Sequence, residues 1–214
     1  PPVPTNSSST PRLLARNVHC DVVVIGAGES GQAAADEARV AGKRVVTLDA
    51  GLGQEAIGIY AGPLVVARTD EGMLQVHAKE EVIVATGAAE IQPVAPSNLL
   101  AGLVTTRAAT QLVQAGVDLG RIVAIGTPPA GIEAQVVAGQ VVRIEGQDQG
   151  DGEGKVSAVV VSDTEGNQTR YECDTVSFGL GLHPRDALRR QGHDMPQVRA
   201  VGNAARESDI PPCP

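Results

Sequence analysis

Aromatic residues are nearly absent from this sequence, which has no tryptophan and only Tyr60, Tyr171 and Phe178 as aromatic side chains. Proteins that bind single-stranded nucleic acid use several such rings to stack bases. Positive charge is also scarce, because 17 lysines and arginines face 25 aspartates and glutamates, and the formal net charge is -8. Such a chain repels phosphate backbones and anionic membranes. We therefore expect no nucleic-acid partner.

Cysteine is also scarce, and long apolar runs are missing. Cys20, Cys173 and Cys213 are odd in number and far apart, which fits neither a disulfide framework nor a zinc or iron–sulfur site. The chain has no redox-active cysteine pair, which excludes a disulfide-reductase mechanism. No apolar run approaches the roughly 20 residues of a membrane span, and Pro1–Arg16 has no signal-peptide core. We expect a reduced, cytoplasmic chain without a membrane span.

The residues that are abundant, Val, Ala, Leu, Ile and Gly, are typical of strands and closely packed helices. Asp21–Ile25 is a β-branched run, Ser30–Ala41 is rich in helix formers, and Arg44–Leu48 is a second apolar run. Gly42 is placed to end the helix. Together these segments predict a strand–helix–strand unit with a right-handed crossover and a parallel sheet.

Further along the chain the pattern changes to shorter strands. Pro63–Ala67 and Met73–Ala78 alternate on either side of a turn at residues 69–72, which predicts a hairpin, and Glu81–Ala85 predicts a buried strand. The later segments predict a helix at Arg107–Ala115, a strand at Arg121–Ile125, a meander at Val136–Ile144, Lys155–Asp163 and Gln168–Cys173, and final strands at Thr175–Phe178 and Val198–Val201.

The predicted fold class is therefore α/β, with a Rossmann-type parallel sheet, a small antiparallel hairpin layer and a reduced β-rich lobe. The predicted division is a flexible arm at residues 1–16, a dinucleotide-binding half-domain at 17–105, a reduced second lobe at 106–175, returning strands of the first domain at 176–206 and a tail at 207–214.

The strongest chemical signal is a glycine pattern, G-x-G-x-x-G, placed between the first predicted strand and helix. Gly26 makes the tight turn, Gly28 lets a pyrophosphate approach the backbone, and Gly31 lets the helix pack against the strand. Phosphates are favoured at this helix N-terminus by free N–H groups and by the helix dipole. The alternative is a glycine-rich turn that binds nothing.

Asp49 strengthens the nucleotide interpretation, because it follows the second strand about 20 residues on, where a carboxylate accepts hydrogen bonds from a ribose diol. A carboxylate there also repels the 2′-phosphate of NADP. The residues predicted to bind the cofactor from this pattern are Gly26, Ala27, Gly28, Glu29, Ser30, Gly31, Asp49 and Ala50.

Four segments carry a family resemblance: Cys20–Ala38, Val82–Pro93, Asp174–Leu188 and Val198–Ala205. Through them the sequence resembles the two-dinucleotide-binding flavoproteins. Within these it is similar to the large subunits of heteromeric amine and amino-acid oxidases, such as sarcosine oxidase alpha, the hydrogen cyanide synthase middle subunit and opine oxidase subunits. The resemblance implies that Ala85, Thr86 and Gly87 line the nucleotide site and that Gly202 and Asn203 lie near the ribityl or pyrophosphate segment of FAD.

The sequence departs from this family in two places. Where relatives have a second glycine fingerprint for NAD(P), Ile122–Gly126 runs into Thr127-Pro128-Pro129-Ala130-Gly131, and proline lacks the N–H that such a cradle uses. The family's usual Gly-Asp turn is Gly202-Asn203, which loses the carboxylate. We expect no working second NAD(P) site.

Other candidates for chemistry are weak. Ser30 does not lie in the G-x-S-x-G elbow of a hydrolase, and Glu29 is explained by the helix dipole. Glu90 is a further acid–base candidate with no partner motif. The four histidines, His19, His77, His183 and His193, show no metal-ligand spacing, so no metal site is predicted. No catalytic residue is identified.

The predicted function is an FAD-binding oxidoreductase subunit of a heteromeric amine or amino-acid oxidase or dehydrogenase, with substrate oxidised in a partner subunit. FAD is the expected cofactor, and NAD or ATP are the alternatives. A non-catalytic subunit that holds a nucleotide for its fold is the competing class. A simple NAD-linked dehydrogenase is a third possibility, which the Ala85-Thr86-Gly87 turn disfavours.

Overall fold

The computed structural model describes residues 15–92, 100–147 and 154–209, and the chain divides into two compact units. Unit 1 comprises the residues up to Ala88 together with Pro184–Glu207, and unit 2 comprises Ala89–His183 and the residues from Ser208. The domain boundaries expected from the sequence, near residues 105 and 176, stay a prediction. Two short strands, β6 (Ala88–Glu90) and β14 (Leu182–Pro184), pair with each other and contain the points where the chain passes between units.

Unit 1 is built on one mixed sheet in which the strand order is β2-β1-β5-β4-β3, with β15 also paired to β5. Strands β1, β2, β5 and β15 are parallel, whereas β3, β4 and β5 form an antiparallel layer. The elements are β1 (Ala15–Ile25), α1 (Glu29–Val40), β2 (Val45–Leu48), β3 (Gln54–Tyr60), β4 (Leu64–Thr69), β5 (Gly72–Val84), α3 (Ala187–Gln191) and β15 (Val198–Ala200).

The parallel part of this sheet is apolar on both faces, as expected for strands covered on two sides. Val22 and Val24 pack against Ala34 and Ala35 of α1, and the small alanines bring that helix close to the sheet. The opposite face, which includes Val23, forms a second core. The α-helix ends before Gly42, which takes a left-handed φ of 76°.

Unit 2 repeats the parallel arrangement on a smaller scale. Its four-stranded sheet has the order β7-β13-β8-β9, with β13 parallel to both β7 and β8, and a three-stranded antiparallel meander of β10, β11 and β12 covers one face through a shared apolar core. The elements are β7 (Leu103–Thr105), α2 (Thr106–Gln114), β8 (Ile122–Gly126), β9 (Gln135–Val137), β10 (Gln140–Gln147), β11 (Lys155–Ser162), β12 (Gln168–Glu172) and β13 (Thr175–Gly179).

The same ion pair fixes the start of the parallel strands in each unit. The Asp21 carboxylate accepts from the Arg44 backbone N–H at 2.8 Å, and the Asp174 carboxylate accepts from that of Arg121 at 2.9 Å. Each arginine side chain bonds the same carboxylate, which lowers the pKa of Asp21 and of Asp174. The two units thus share the same aspartate–arginine arrangement where their parallel strands begin to pair. The carboxyl ends of these strands, at the other edge, are therefore equivalent positions in the two units.

The predicted fold class is confirmed: a Rossmann-type parallel sheet, an antiparallel hairpin layer and a reduced β-rich lobe are all present. Three details differ. Ala15 and Arg16, assigned to a flexible arm, belong to β1, while Pro1–Leu14 and Ile210–Pro214 lie outside the described residues. Met73–Ala78 and Glu81–Ala85, predicted as two strands, form the single strand β5.

The third difference is in unit 2, where the strand predicted at Val136–Ile144 is two strands. The chain breaks at Gly139, whose φ is 138° and where a Cβ atom would lie 2.4 Å from the Ser162 carbonyl oxygen. In addition, β13, which the sequence grouped with strands returning to the first domain, pairs within unit 2, and only β15 rejoins the sheet of unit 1.

Candidate functional site

The predicted nucleotide site lies at the carboxyl ends of the parallel strands of unit 1. Ile25 pairs with Leu48 and with Val84, and Val84 pairs with Ala200, so four strands end at one level of the sheet. In open α/β sheets, ligands bind in the crevice outside these strand ends. The residues that follow the four ends are the predicted ones: Gly26–Gly31 after β1, Asp49 and Ala50 after β2, Ala85–Gly87 after β5, and Gly202 and Asn203 after β15.

Two of the three motif glycines are required by the fold itself. Gly26 has a φ of 106°, and a Cβ there would lie 2.3 Å from the Ala85 carbonyl oxygen. A Cβ at Gly31 would lie 1.9 Å from the Gly26 carbonyl oxygen. These contacts let the turn, the helix and the end of β5 approach one another without side chains between them.

Gly28 is different, because nothing in the fold requires a glycine there. Its φ of -69° and ψ of -179° are open to any residue, and a Cβ would meet no atom within 4 Å. Gly28 precedes the first residue of α1, and no side chain among the described residues caps this helix. The first-turn N–H groups of a helix have no partners within it. Gly28 therefore leaves bare backbone beside a helix N-terminus that favours anions.

The Asp49 carboxylate is held in a fixed position across the glycine turn. Its Oδ2 accepts from the Ala27 N–H at 2.6 Å and its Oδ1 accepts from the Gly51 N–H at 2.8 Å. A carboxylate has about four acceptor positions, so each oxygen keeps capacity for an external donor. Ala50 is exposed and lines a neighbouring cleft of about 230 Å³ with Gly53, Glu55, Arg68, Thr69 and Asp70.

The Ala85-Thr86-Gly87 turn is tied to a segment that the sequence did not single out. The Thr86 hydroxyl donates to the Arg185 carbonyl oxygen at 2.6 Å, and the Arg185 N–H donates to the Gly87 carbonyl oxygen at 3.0 Å. Gly87 has a φ of 71°, and a Cβ there would meet no atom within 4 Å. Arg185 holds this turn through its backbone carbonyl oxygen and N–H group. The sequence pattern did not indicate this role, although Arg185 lies in the segment Asp174–Leu188, which carries the family resemblance.

The returning segment after β15 also meets the glycine turn. Gly202 has a φ of 61°, and a Cβ there would lie 2.2 Å from the Ser30 hydroxyl oxygen. Glycine at this position therefore lets the chain pass over the first turn of α1. Asn203 follows, half-buried, and Glu29 is exposed at the start of α1.

In unit 2 the glycine at the end of β8 is packed as Gly26 is in unit 1. A Cβ at Gly126 would lie 2.4 Å from the Gly179 carbonyl oxygen, so this contact does not distinguish the two units. The Glu90 carboxylate accepts from the Arg107 N–H at 3.0 and 3.1 Å, in the first turn of α2. Glu90, an acid–base candidate from the sequence, is thus placed as a helix cap. Thr105 adds a bond to the Ala108 N–H.

Unit 2 also lacks a helix where a second nucleotide cradle needs one. Strand β8 ends at Gly126 and β9, parallel to it, begins at Gln135, and the described residues between them contain no helix. Parallel neighbours are usually joined by a longer crossover with a helix. The described residues of this loop therefore offer no helix N-terminus, and the absence of a second NAD(P) site stays a prediction.

No protein-family model and no curated protein sequence matches this chain. Solved structures do match it. L-proline dehydrogenase from P. horikoshii superposes with a TM-score of 0.65 at 20% identity, over 89% of this chain and 52% of that one. Thioredoxin reductase from T. acidophilum gives 0.64 at 20% identity, over 88% of this chain and 91% of that one. An FAD-dependent pyridine nucleotide-disulphide oxidoreductase from Desulfovibrio vulgaris gives 0.60 at 19% identity, over 87% and 62%.

The chain therefore has the fold of these oxidoreductases, and it spans about half the length of the proline dehydrogenase. This agrees, at the level of the fold, with the broad class that the sequence resembles. None of the three is named as a subunit of a heteromeric amine oxidase, so that closer relation stays a prediction. No helix in the described parts of the chain is long and apolar enough to cross a bilayer.

Proposed function

We propose that unit 1 binds one molecule of FAD and that the chain is the flavin-binding subunit of a heteromeric amine or amino-acid oxidase or dehydrogenase. The observation that carries this proposal is Gly28, the one motif glycine that the fold does not need. A phosphate group that packs there would explain why the backbone is bare beside an uncapped helix N-terminus.

The remaining site residues fit the two ends of such a molecule. The pyrophosphate would lie on Gly28 and the first turn of α1, and the adenosine ribose would donate to Asp49. The cleft beyond Ala50 would take the adenine. Gly87, where a Cβ would meet no atom within 4 Å, offers further bare backbone. Bound flavin supplies the redox chemistry, and the protein positions and tunes it.

The choice of FAD over NAD is supported by the solved structures. One of the three is named as FAD-dependent, and the L-proline dehydrogenase is named for an amino acid. Among the described residues, Cys20 and Cys173 are free and buried, so they form no redox-active pair. An amine or amino acid is therefore the better substrate class, and we keep a reduced, cytoplasmic setting as part of the proposal.

A division of labour with another subunit is supported by what unit 2 lacks. Its helix α2 is capped by Glu90, and the described loop between β8 and β9 has no helix N-terminus, so we expect no NAD(P) to bind there. No residue near the strand ends of unit 1 is placed as a substrate base among the described residues. We propose that a partner supplies the substrate site.

The deciding experiment is the cofactor content of the protein purified from its native host. Flavin absorption bands and a released nucleotide with the mass of FAD would support the proposal. NAD or ATP without flavin would support instead the non-catalytic subunit or a simple NAD-linked dehydrogenase. An empty protein that binds none of the three when they are added would refute a nucleotide site in unit 1.

A further inference from the structure

A pair of histidines lies outside the nucleotide site, on the part of β1 that extends beyond β2. His19 and His77 are 58 positions apart in the sequence, but β1 and β5 pair in parallel and in register at these residues. Their rings are stacked, with centroids 4.7 Å apart and planes inclined by 19°. The chain has four histidines, and the sheet brings two of them into contact.

The pair faces solvent and not the core. The neighbouring Cys20 side chain points to the opposite face, where it is buried in the apolar core, because successive strand residues alternate between faces. His19 is exposed and His77 is half-buried. Strand β2 pairs with Val22–Ile25, so within the described ranges no strand lies beside His19 on that side.

Asn17 sets which nitrogen of His77 carries the proton. Its Oδ1 lies 3.2 Å from His77 Nε2, and an amide oxygen can only accept a hydrogen bond. The proton is therefore on Nε2, and Nδ1 keeps its lone pair. Histidines that bind metals are usually held in this way, with the second nitrogen donating to an oxygen. Neither ring nitrogen of His19 has a hydrogen-bond partner among the described residues.

We propose that His19 and His77 form a binding site for one divalent transition-metal ion of the copper or zinc type. Neutral imidazole suits both ions. Metal–nitrogen bonds are about 2 Å long, so two ligating nitrogens must come within about 4 Å of each other. The His77 ring is held by Asn17, so the His19 ring is the one that turns about its broad χ2 torsion towards the shared ion.

The protein supplies two ligands, and water supplies the others. No cluster of three or more His, Cys, Asp and Glu that could hold a metal is present in the described ranges. The site is accordingly an open one with affinity below that of a structural zinc site. The net charge of -8 favours the approach of a cation. This proposal does not depend on a nucleotide in unit 1.

The test is a calorimetric titration of the untagged full chain with Cu²⁺ and, separately, Zn²⁺. We expect one equivalent of Cu²⁺ to bind more tightly than Zn²⁺, following the usual affinity order, and an EPR spectrum of the Cu²⁺ form that shows two nitrogen ligands. His19→Gln and His77→Gln should each weaken binding at least tenfold. His183→Gln and His193→Gln are matched controls on other parts of the described chain and should leave it unchanged.

Asn17→Ala tests the positioning role, since loss of such an outer partner typically weakens metal binding by about 10–100-fold. Its circular dichroism should be unchanged because the side chain is exposed. Absence of saturable Cu²⁺ binding at millimolar concentration would overturn the proposal. Binding that survives in the His19→Gln, His77→Gln double variant would equally overturn it and would leave the two rings as a stacking pair only.

Discussion

At the scale of single residues, the glycines of the turn after β1 meet two different physical demands. Gly26 and Gly31 are fixed by carbonyl oxygens that leave no room for a Cβ, so they serve folding. Gly28 has an ordinary backbone conformation and open space before it, so folding does not select it. A sequence pattern cannot separate these roles, because all three positions read as glycine.

The first prediction separates binding from folding at this turn. Gly28→Val should abolish nucleotide retention, because a branched side chain fills the space where the pyrophosphate meets the backbone. It should change the free energy of unfolding by no more than about 1 kcal/mol, the range of a helix-cap effect. Gly31→Ala should instead destabilise the fold by about 1–3 kcal/mol or more through overpacking.

The measurements are denaturant unfolding of the nucleotide-free proteins and nucleotide content after purification. Stoichiometric nucleotide in folded Gly28→Val would contradict the assignment of the turn. Equal loss of stability in both variants would show that the space before Gly28 is needed by the fold.

Asp49 carries the second prediction. Asp49→Ala should weaken nucleotide binding by about 1–3 kcal/mol, the cost of leaving hydrogen-bonding groups unpaired. It should also lower stability, because the Ala27 and Gly51 N–H groups lose their acceptor. A suitable control is Asp163→Ala, since that carboxylate in unit 2 likewise accepts from the backbone N–H groups of Glu165 and Asn167.

Binding is measured by titration of apo protein with FAD and with NAD at a temperature where both variants are folded. The control should lose stability and keep its affinity for nucleotide. Affinity that is the same for wild type and Asp49→Ala, with either nucleotide, would show that Asp49 only fastens the turn.

Cys173 gives a prediction for alkaline pH. Burial raises the pKa of this thiol from 9.0 to about 11. The unfolded chain therefore ionises first, and stability should fall between about pH 9 and pH 11. The loss amounts to about 2–3 kcal/mol. Cys173→Val keeps the apolar contact and removes the titration, so the difference between its unfolding curve and that of wild type isolates the thiol. A difference that does not vary over this pH range would contradict the prediction.

At the scale of elements, the sequence predicted those segments whose pattern is local. The strand–helix–strand unit from Asp21 to Leu48 is confirmed because its apolar runs, helix formers and Gly42 act within a short window. The full length of β1 was missed. Residues 17–20 alternate between exposed and buried, but their core face depends on β5, more than 50 residues away.

The candidate site shows the same limit. The turn after β1 and Asp49 could be inferred from spacing, whereas the Arg185 contacts with Thr86 and Gly87 join residues about 100 positions apart. Pairing of distant strand ends is set by the fold, and no local pattern records it. The stacked His19 and His77 were missed for this reason as well.

The loop between β8 and β9 gives a prediction at this scale. Because that loop has no helix and α2 is already capped by Glu90, unit 2 should bind neither NADH nor NADPH. A titration of the FAD-loaded protein with each, followed by nucleotide fluorescence, should show no saturable binding. The same titration of Asp49→Ala identifies any binding to unit 1, because that binding should weaken in this variant. Saturable binding that is independent of Asp49 would place a nucleotide in unit 2.

At the scale of the whole molecule, the two units differ at their helix N-termini, because α1 has no side-chain cap among the described residues whereas α2 is capped by Thr105 and Glu90. The oxidoreductases that share the fold span different lengths, and this chain covers 52% of the proline dehydrogenase but 91% of the thioredoxin reductase. Among the described residues, Cys20 and Cys173 are free and buried, and no substrate base is placed at the strand ends of unit 1. Large apolar side chains are also exposed, among them Val136 in unit 2 at 57% and Leu52 in unit 1 at 75%.

The last prediction is that the chain works in a hetero-oligomer and has little turnover alone. A partner would supply the substrate site and cover apolar surface, through an interface larger than about 1,000 Å² in total. Purification at native expression, with mass measurement of the intact assembly, should give a species heavier than the 21.9 kDa chain that contains a second polypeptide. Amine and amino-acid oxidation with an artificial electron acceptor should follow the assembly and be absent from the isolated subunit. FAD retained by the isolated subunit would support the nucleotide site even if no partner were found. The nucleotide site and the partner are therefore tested separately. A monodisperse monomer that oxidises amines unaided would overturn the need for a partner.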